Sequence, residues 1–203
     1  MEALKDLLSK EITSENYLVL FKEIADCLIH DNCIVCGKRT FRLSEIEFYY
    51  YDKKSLNDEW NRKTYPRTKK EAGKLFFHYS GVDICFPSDF SNGKFGGILI
   101  RSLYDESTKQ YICGPLLCAN EMLNACAETG EWPQIKTSNN QKCNILQTSR
   151  YGIKYESEGF KDTLCFYDDG LTKADTPKCE SWDFKKREKK YNSRNYRKRF
   201  SLA

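Results

Sequence analysis

Two glutamates, Glu45 and Glu47, stand in the run RLSEIEFYYYD (42–52), directly ahead of three tyrosines. Alternation over 42–50 predicts a strand with Leu43, Glu45, Glu47 and Tyr49 on one face. Arg42, Ser44, Ile46, Phe48 and Tyr50 fall on the other. Glutamate is depleted in strands, so two on one face ask for a reason. A carboxylate beside an aromatic wall suits chemistry on a flat or conjugated substrate, because one group takes a proton while the other stacks. Glu47, with Tyr49 two residues on, is the candidate catalytic residue. The competing reading is an exposed polar face on an amphipathic strand.

The elements that must position this strand are legible in outline. Leu4, Leu7 and Leu8 predict a short helix over 2–12. Thr13 or Ser14 can cap a second helix over 15–29, with Tyr17, Leu18, Leu20, Phe21, Ile24, Ala25 and Leu28 on one broad face. DNCIVCGK is expected to turn the chain toward the Glu47 strand. The polar, basic segment 52–70 reads as a long loop or lid. Strands are predicted at 74–79, 82–87 and 96–104, separated by Ser80-Gly81 and by SDFSNGKF (88–95). Gly114-Pro115 opens a helix over 115–128, which Thr129-Gly130 closes. A polar loop (133–142) and strands near 145–155 and 162–168 follow. The order helices, strands, helix, strands predicts an α+β fold.

Bulk properties bound the rest. At 203 residues, with 40% apolar and 31% charged side chains, one core-forming domain over 1–184 is expected. Net charge is only +4, yet 185–200 carries nine Lys or Arg against one Glu. The segment 185–203 therefore reads as a basic tail, either solvated or bound to phosphates, and Tyr191, Tyr196 and Phe200 among the charges favour nucleic acid. No window approaches a membrane span, and MEALKDLLSKEI does not have the build of a signal peptide. A cytoplasmic setting is expected, where disulfides are rare among the ten cysteines. Cys33 and Cys36 resemble half a zinc knuckle, but Cys113 and Cys118 make a poor second pair, so no metal is expected. Cys85, Cys118, Cys126 and Cys165 read as core residues.

Taken in order, six segments resemble the alkyladenine (3-methyladenine) DNA glycosylase family. They are RLSEIEFY (42–49), TYPR (64–67) followed by GKLFFHYSG (73–81), GILIRSL (97–103), CGPLLC (113–118), SRYGI (149–153) and LCFYDDG (164–170). Order and spacing agree over about 15–170. The resemblance implies a single compact domain with a curved antiparallel sheet flanked by helices, one DNA-binding face, no cofactor and a monomer. It implies that Glu47 activates water against the sugar anomeric carbon. It also implies that Tyr49 and Phe77 wall the flipped base and that Arg101 lies on the DNA-facing side. Trp60 and Tyr79 are further expected base contacts, Trp60 as a stacking substitute in the lid, and the basic Lys63 and Arg67 of the lid, with Arg150 in SRYGI, are expected to contact DNA. Plainer readings stand beside these: Tyr49 and Phe77 as core, Arg101 as an ion-pair residue.

Three departures from the family pattern bear on function. The loop before TYPR lacks the family's pocket histidine. Ser80 stands where a wedge tyrosine is usual, and Pro87 where a pocket asparagine would fall. In a regular strand Tyr79 would point to the opposite face, which predicts a preference for single-stranded or distorted DNA over intact duplex. The expected function is excision of damaged or modified purine bases by a monofunctional, base-flipping DNA glycosylase. The alternatives are a non-catalytic nucleic-acid-binding protein on the same fold, or a hydrolase of modified nucleosides.

Overall fold

The computed structural model describes residues 1–56, 71–140, 142–148, 150 and 164–171. The expected lid beyond 56 and the basic tail lie outside the described residues. Two helices open the chain, α1 (Glu2–Ser9) and α2 (Tyr17–Asp31). Six strands follow: β1 (Asn32–Cys36), β2 (Arg39–Asp52), β3 (Leu75–His78), β4 (Gly81–Cys85), β5 (Lys94–Asp105) and β6 (Gln110–Cys113). Then come α3 (Pro115–Ala127), β7 (Gln134–Thr137), β8 (Ile145–Thr148) and β9 (Cys165–Asp168). The class is α+β, as expected.

All nine described strands join one curled antiparallel sheet, with the path β3-β4-β5-β2-β1-β7. The long strand β2 organises it. One edge runs along β5 from Phe41 to Asp52. The other edge is divided: Arg39–Arg42 pair with β1, while Glu45, Glu47 and the residue between them pair with β9. Sharing one edge between two strands curls the sheet and brings β9 beside the glutamates.

Aromatic packing fixes β2 against α2. Phe21 stacks on Phe48 at 4.5 Å with 15° between the rings. Phe166 of β9 meets Phe48 edge-on at 5.3 Å, and Phe86 lies 5.9 Å from Phe21. All four are fully buried, and each contributes roughly 1.5–3 kcal/mol of burial free energy. Leu20, Phe21, Ile24, Ala25, Leu28 and Ile29 form the inner face of α2. Leu18, expected on that face, is 46% exposed. The helix starts after Asn16, whose amide oxygen accepts from the Thr13 N–H rather than capping α2.

Three sequence expectations change. DNCIVCGK is not merely a turn. Its Cys-Ile-Val-Cys run suits a strand, and β1 pairs on both edges, with β2 and with β7. The expected loop at 133–142 supplies β7. Cys33 and Cys36, three apart in β1, face opposite ways: Cys36 lies in the core against Cys126, and Cys33 lies near Ser138 and Lys136. Of the described cysteines, Cys113 is disulfide-bonded, which departs from the expectation of thiols, and the other eight are free. Among the described residues no helix is long and apolar enough to cross a membrane.

Candidate functional site

Paired bulges shape the site. On β2 the buried core side chains are Phe41 and Leu43, then Ile46, Phe48 and Tyr50. The phase slips by one residue at Ser44, where the register to β5 shifts. Opposite it, Ile98 and Ile100 give way to Leu103, and the slip falls at Arg101–Ser102. Each bulge re-aims the residues beside it while the apolar series stays in the core. Strict alternation is therefore corrected: Leu43 joins the core, and Glu45, Glu47 and Tyr49 do not share its face.

The two glutamates are wholly buried, at 0% exposure each, so they are not an exposed polar face. Arg101 bridges them, with Nη1 3.3 Å from Glu47 Oε2 and Nε 3.4 Å from Glu45 Oε1. The Tyr49 hydroxyl donates to Glu47 Oε1. Ser102 Oγ donates to Glu45 Oε2 at 3.0 Å, and Cys165 Sγ donates to its other oxygen at 3.2 Å. Burying a carboxylate costs several kcal/mol unless such partners compensate. Burial, then the Glu47 charge and hydrogen bond, push the Tyr49 hydroxyl well above its ordinary range. Tyr49 therefore stays protonated and keeps donating. The arrangement can hold one carboxylate oxygen in a fixed direction.

Arg150, expected on DNA, is buried at 4% exposure. Its guanidinium lies 4.9 Å from the centre of the Tyr49 ring, and Nη1 donates to the Phe48 carbonyl at 3.4 Å. It clamps Tyr49 from behind. Arg101 is likewise an ion-pair residue in the interior, with a side chain only 4% exposed. The expectation that these two arginines meet DNA phosphates is corrected, because their cationic groups turn inward to buried acceptors.

The register orders the rest of this face. Asp83, Leu99, Glu47 and Cys165 form one row across β4, β5, β2 and β9. Directly opposite residues share a face, so Asp83 stands on the Glu47 side, two strands and roughly 10 Å away. Phe76 pairs with Asp83, whereas Phe77 pairs with Val82 of the core. Phe77, expected as a wall of the base pocket, faces the core and meets Trp132 edge-on at 5.3 Å. Period-two pleating leaves Phe76 and His78 on the Glu47 side instead. They stack at 5.8 Å and 23°.

Tyr79 and Ser80 form the turn between β3 and β4, since His78 pairs with Gly81. Strand alternation therefore does not govern Tyr79, and the expectation that it points to the opposite face is corrected. Its ring is 90% exposed at the hairpin tip. Trp60, Lys63 and Arg67 lie outside the described residues.

Sequence reasoning passed over His78 and Asp83. His78 Nε2 lies 3.3 Å from Asp83 Oδ1. The available signal was that only two histidines exist in the chain and that one of them alternates with Phe76 in LFFHY. No protein-family profile matches the sequence, and no curated protein matches it significantly.

Proposed function

We propose that this chain is a DNA glycosylase-like hydrolase that flips damaged or modified purine bases out of DNA and excises them, with Glu47 activating water. The observation that carries this reading is the held carboxylate: Glu47 sits between the Tyr49 hydroxyl and the Arg101 guanidinium. Glycosidic cleavage of a nucleotide builds positive charge on the sugar. A fixed carboxylate stabilises that charge and removes a proton from the attacking water. Ordinary glycosidases use two carboxylates, but an alkylated purine is already cationic and leaves readily, so one suffices. The exposed Tyr79 at a hairpin tip supports insertion into the gap left by a flipped base.

The burial of Glu47 and Arg101, at 0% and 3% exposure, favours a second reading, a non-catalytic DNA-binding protein in which the pair is purely structural. One experiment separates the two. Abasic-site release is measured from a panel of modified-base oligonucleotides with the wild type and Glu47→Gln. The catalytic reading expects a loss of ~10²–10⁴-fold with DNA affinity retained. No release by either protein leaves the non-catalytic reading, and equal release by both would remove Glu47 from the chemistry.

A further inference from the structure

We infer that Ser80, His78 and Asp83 form a second reactive site, in which Ser80 Oγ is an acyl-accepting nucleophile toward esters of apolar carboxylic acids. The tight hairpin assembles them. β3 ends at His78, the turn is Tyr79-Ser80, and β4 begins at Gly81, so residues two and five apart in sequence converge. Ser80 is exposed, His78 half-buried and Asp83 buried.

The geometry gives each group a role. His78 Nδ1 lies 3.0 Å from Ser80 Oγ and accepts from the Ser80 backbone N–H at 3.4 Å. With a backbone donor aimed at it, Nδ1 is the lone-pair nitrogen, and the neutral ring carries its proton on Nε2. That nitrogen lies 3.3 Å from Asp83 Oδ1, within ion-pair reach but without a hydrogen bond in the resting hairpin. Nucleophile and base thus stand in the order that activates a serine, and the carboxylate lies where it stabilises the imidazolium once formed, with the two ring nitrogens exchanged relative to the usual hydrolase arrangement. The stack on Phe76 holds the imidazole plane.

The neighbouring helix begins beside the site. A Cβ at Gly81 would stand 2.8 Å from Pro115 Cβ, and Gly81 has φ +150°, so glycine lets α3 begin against the hairpin. Pro115 has no N–H, which leaves the Leu116 and Leu117 N–H groups as first-turn donors without an intrahelical acceptor. They belong to the positive end of the helix, where a developing oxyanion is stabilised. Leu116 is 52%, Leu117 43% and Tyr79 90% exposed. These apolar side chains at the same end of the molecule suit an apolar acyl group.

The step balances without a further reagent. Ser80 Oγ attacks the ester carbonyl carbon, and its proton passes to His78 Nδ1. The imidazolium so formed is stabilised through Nε2 by Asp83. Collapse breaks the bond to the leaving oxygen, which takes the proton from Nδ1. Acyl-Ser80 and an alcohol result, and water repeats the sequence to release the acid.

The test uses the full chain with a fluorophosphonate probe and p-nitrophenyl butyrate. Mass spectrometry is expected to find the phosphonate on Ser80. Ser80→Ala, an exposed change that leaves the core untouched, should abolish both labelling and ester hydrolysis. His78→Gln should slow labelling by ~10²–10⁴-fold, with the circular dichroism spectrum checking that the fold persists. Labelling of another residue, or Ser80 labelling at an unchanged rate in a folded His78→Gln protein, would overturn the assignment. Neither outcome depends on whether Glu47 excises bases.

Discussion

Replacing Arg101 with methionine tests the electrostatic core of the candidate site. The guanidinium sits between Glu45 and Glu47, 3.4 and 3.3 Å away, and is almost wholly buried. Methionine preserves most of the volume and removes the charge. Two carboxylates without accessible surface then lose their shared cation. Breaking a buried pair from one side costs ~3–5 kcal/mol. The hydroxyl of Tyr49 and that of Ser102 still donate, so the lower half of that range is expected. Urea denaturation of wild type, Arg101→Met, Glu47→Gln and the double variant makes a thermodynamic cycle. Adding Glu47→Gln to Arg101→Met should recover ~0.5–3 kcal/mol, the range found for residues in contact. Additive losses would show that Arg101 and Glu47 do not interact in solution, and would remove the support on which the catalytic carboxylate rests.

Three further outcomes are expected. Burial alone would raise the Asp105 pKa, but Arg39 Nη2 at 2.5 Å, the Ser107 N–H and the Thr108 hydroxyl outweigh it and hold the carboxyl below its usual range. A folded pKa below the unfolded one gives stability that is present above the unfolded value, ~3.9, and lost as pH falls through the folded value. Asp105→Asn should therefore cost ~1–3 kcal/mol at pH 7 in thermal or urea unfolding, and the gap to wild type should close in strong acid; a pH-independent gap would contradict this. Gly96→Ala should lower the melting temperature, because the new methyl would stand 2.4 Å from the Tyr49 carbonyl oxygen and 3.0 Å from Tyr50 Cα; an unchanged melting temperature would mean that β2 and β5 separate more easily than their pairing indicates. Tyr79→Ala should leave stability within ~0.5 kcal/mol but depress base release from duplex more than from single strands, and equal effects on both would take the hairpin tip away from the DNA.

The class of the fold was readable because its larger elements carry strong local signals. The apolar stripe of α2 and the glycine-proline start of α3 were such signals. What escaped was set by pairing rather than by local pattern. NCIVC becomes a strand because β7, a hundred residues later, lies along its free edge. The slip at Ser44 could not be seen in β2 alone, since Phe41, Leu43 and the residues after them still alternate plausibly. It exists because Arg101 and Ser102 bulge in the opposite strand and the two irregularities offset each other. Glu47 and Tyr49 were legible as a site pair because they sit two apart beyond the slip. Phe77 was misread for a related reason: matching it by sequence to an aromatic wall ignored the pleat, which turns Phe76 and His78 to that side.

The same slip explains why two glutamates occupy the middle of a strand that is otherwise built for the core. Without it, the alternation that buries Phe41 and Leu43 would carry Glu45 and Glu47 into the apolar interior beside Phe48. One extra residue at Ser44, answered by one at Arg101, turns both carboxylates to the other face and supplies the arginine that neutralises them in the same structural event. The bulge on β5 both displaces the chain and delivers the cation. A carboxylate fixed this way cannot be gained by a single substitution in a regular sheet, because restoring either strand to strict alternation would return a charge to the core. That coupling makes Glu47 and Arg101 interdependent, and it is why the Arg101→Met cycle bears on the chemistry as well as on stability.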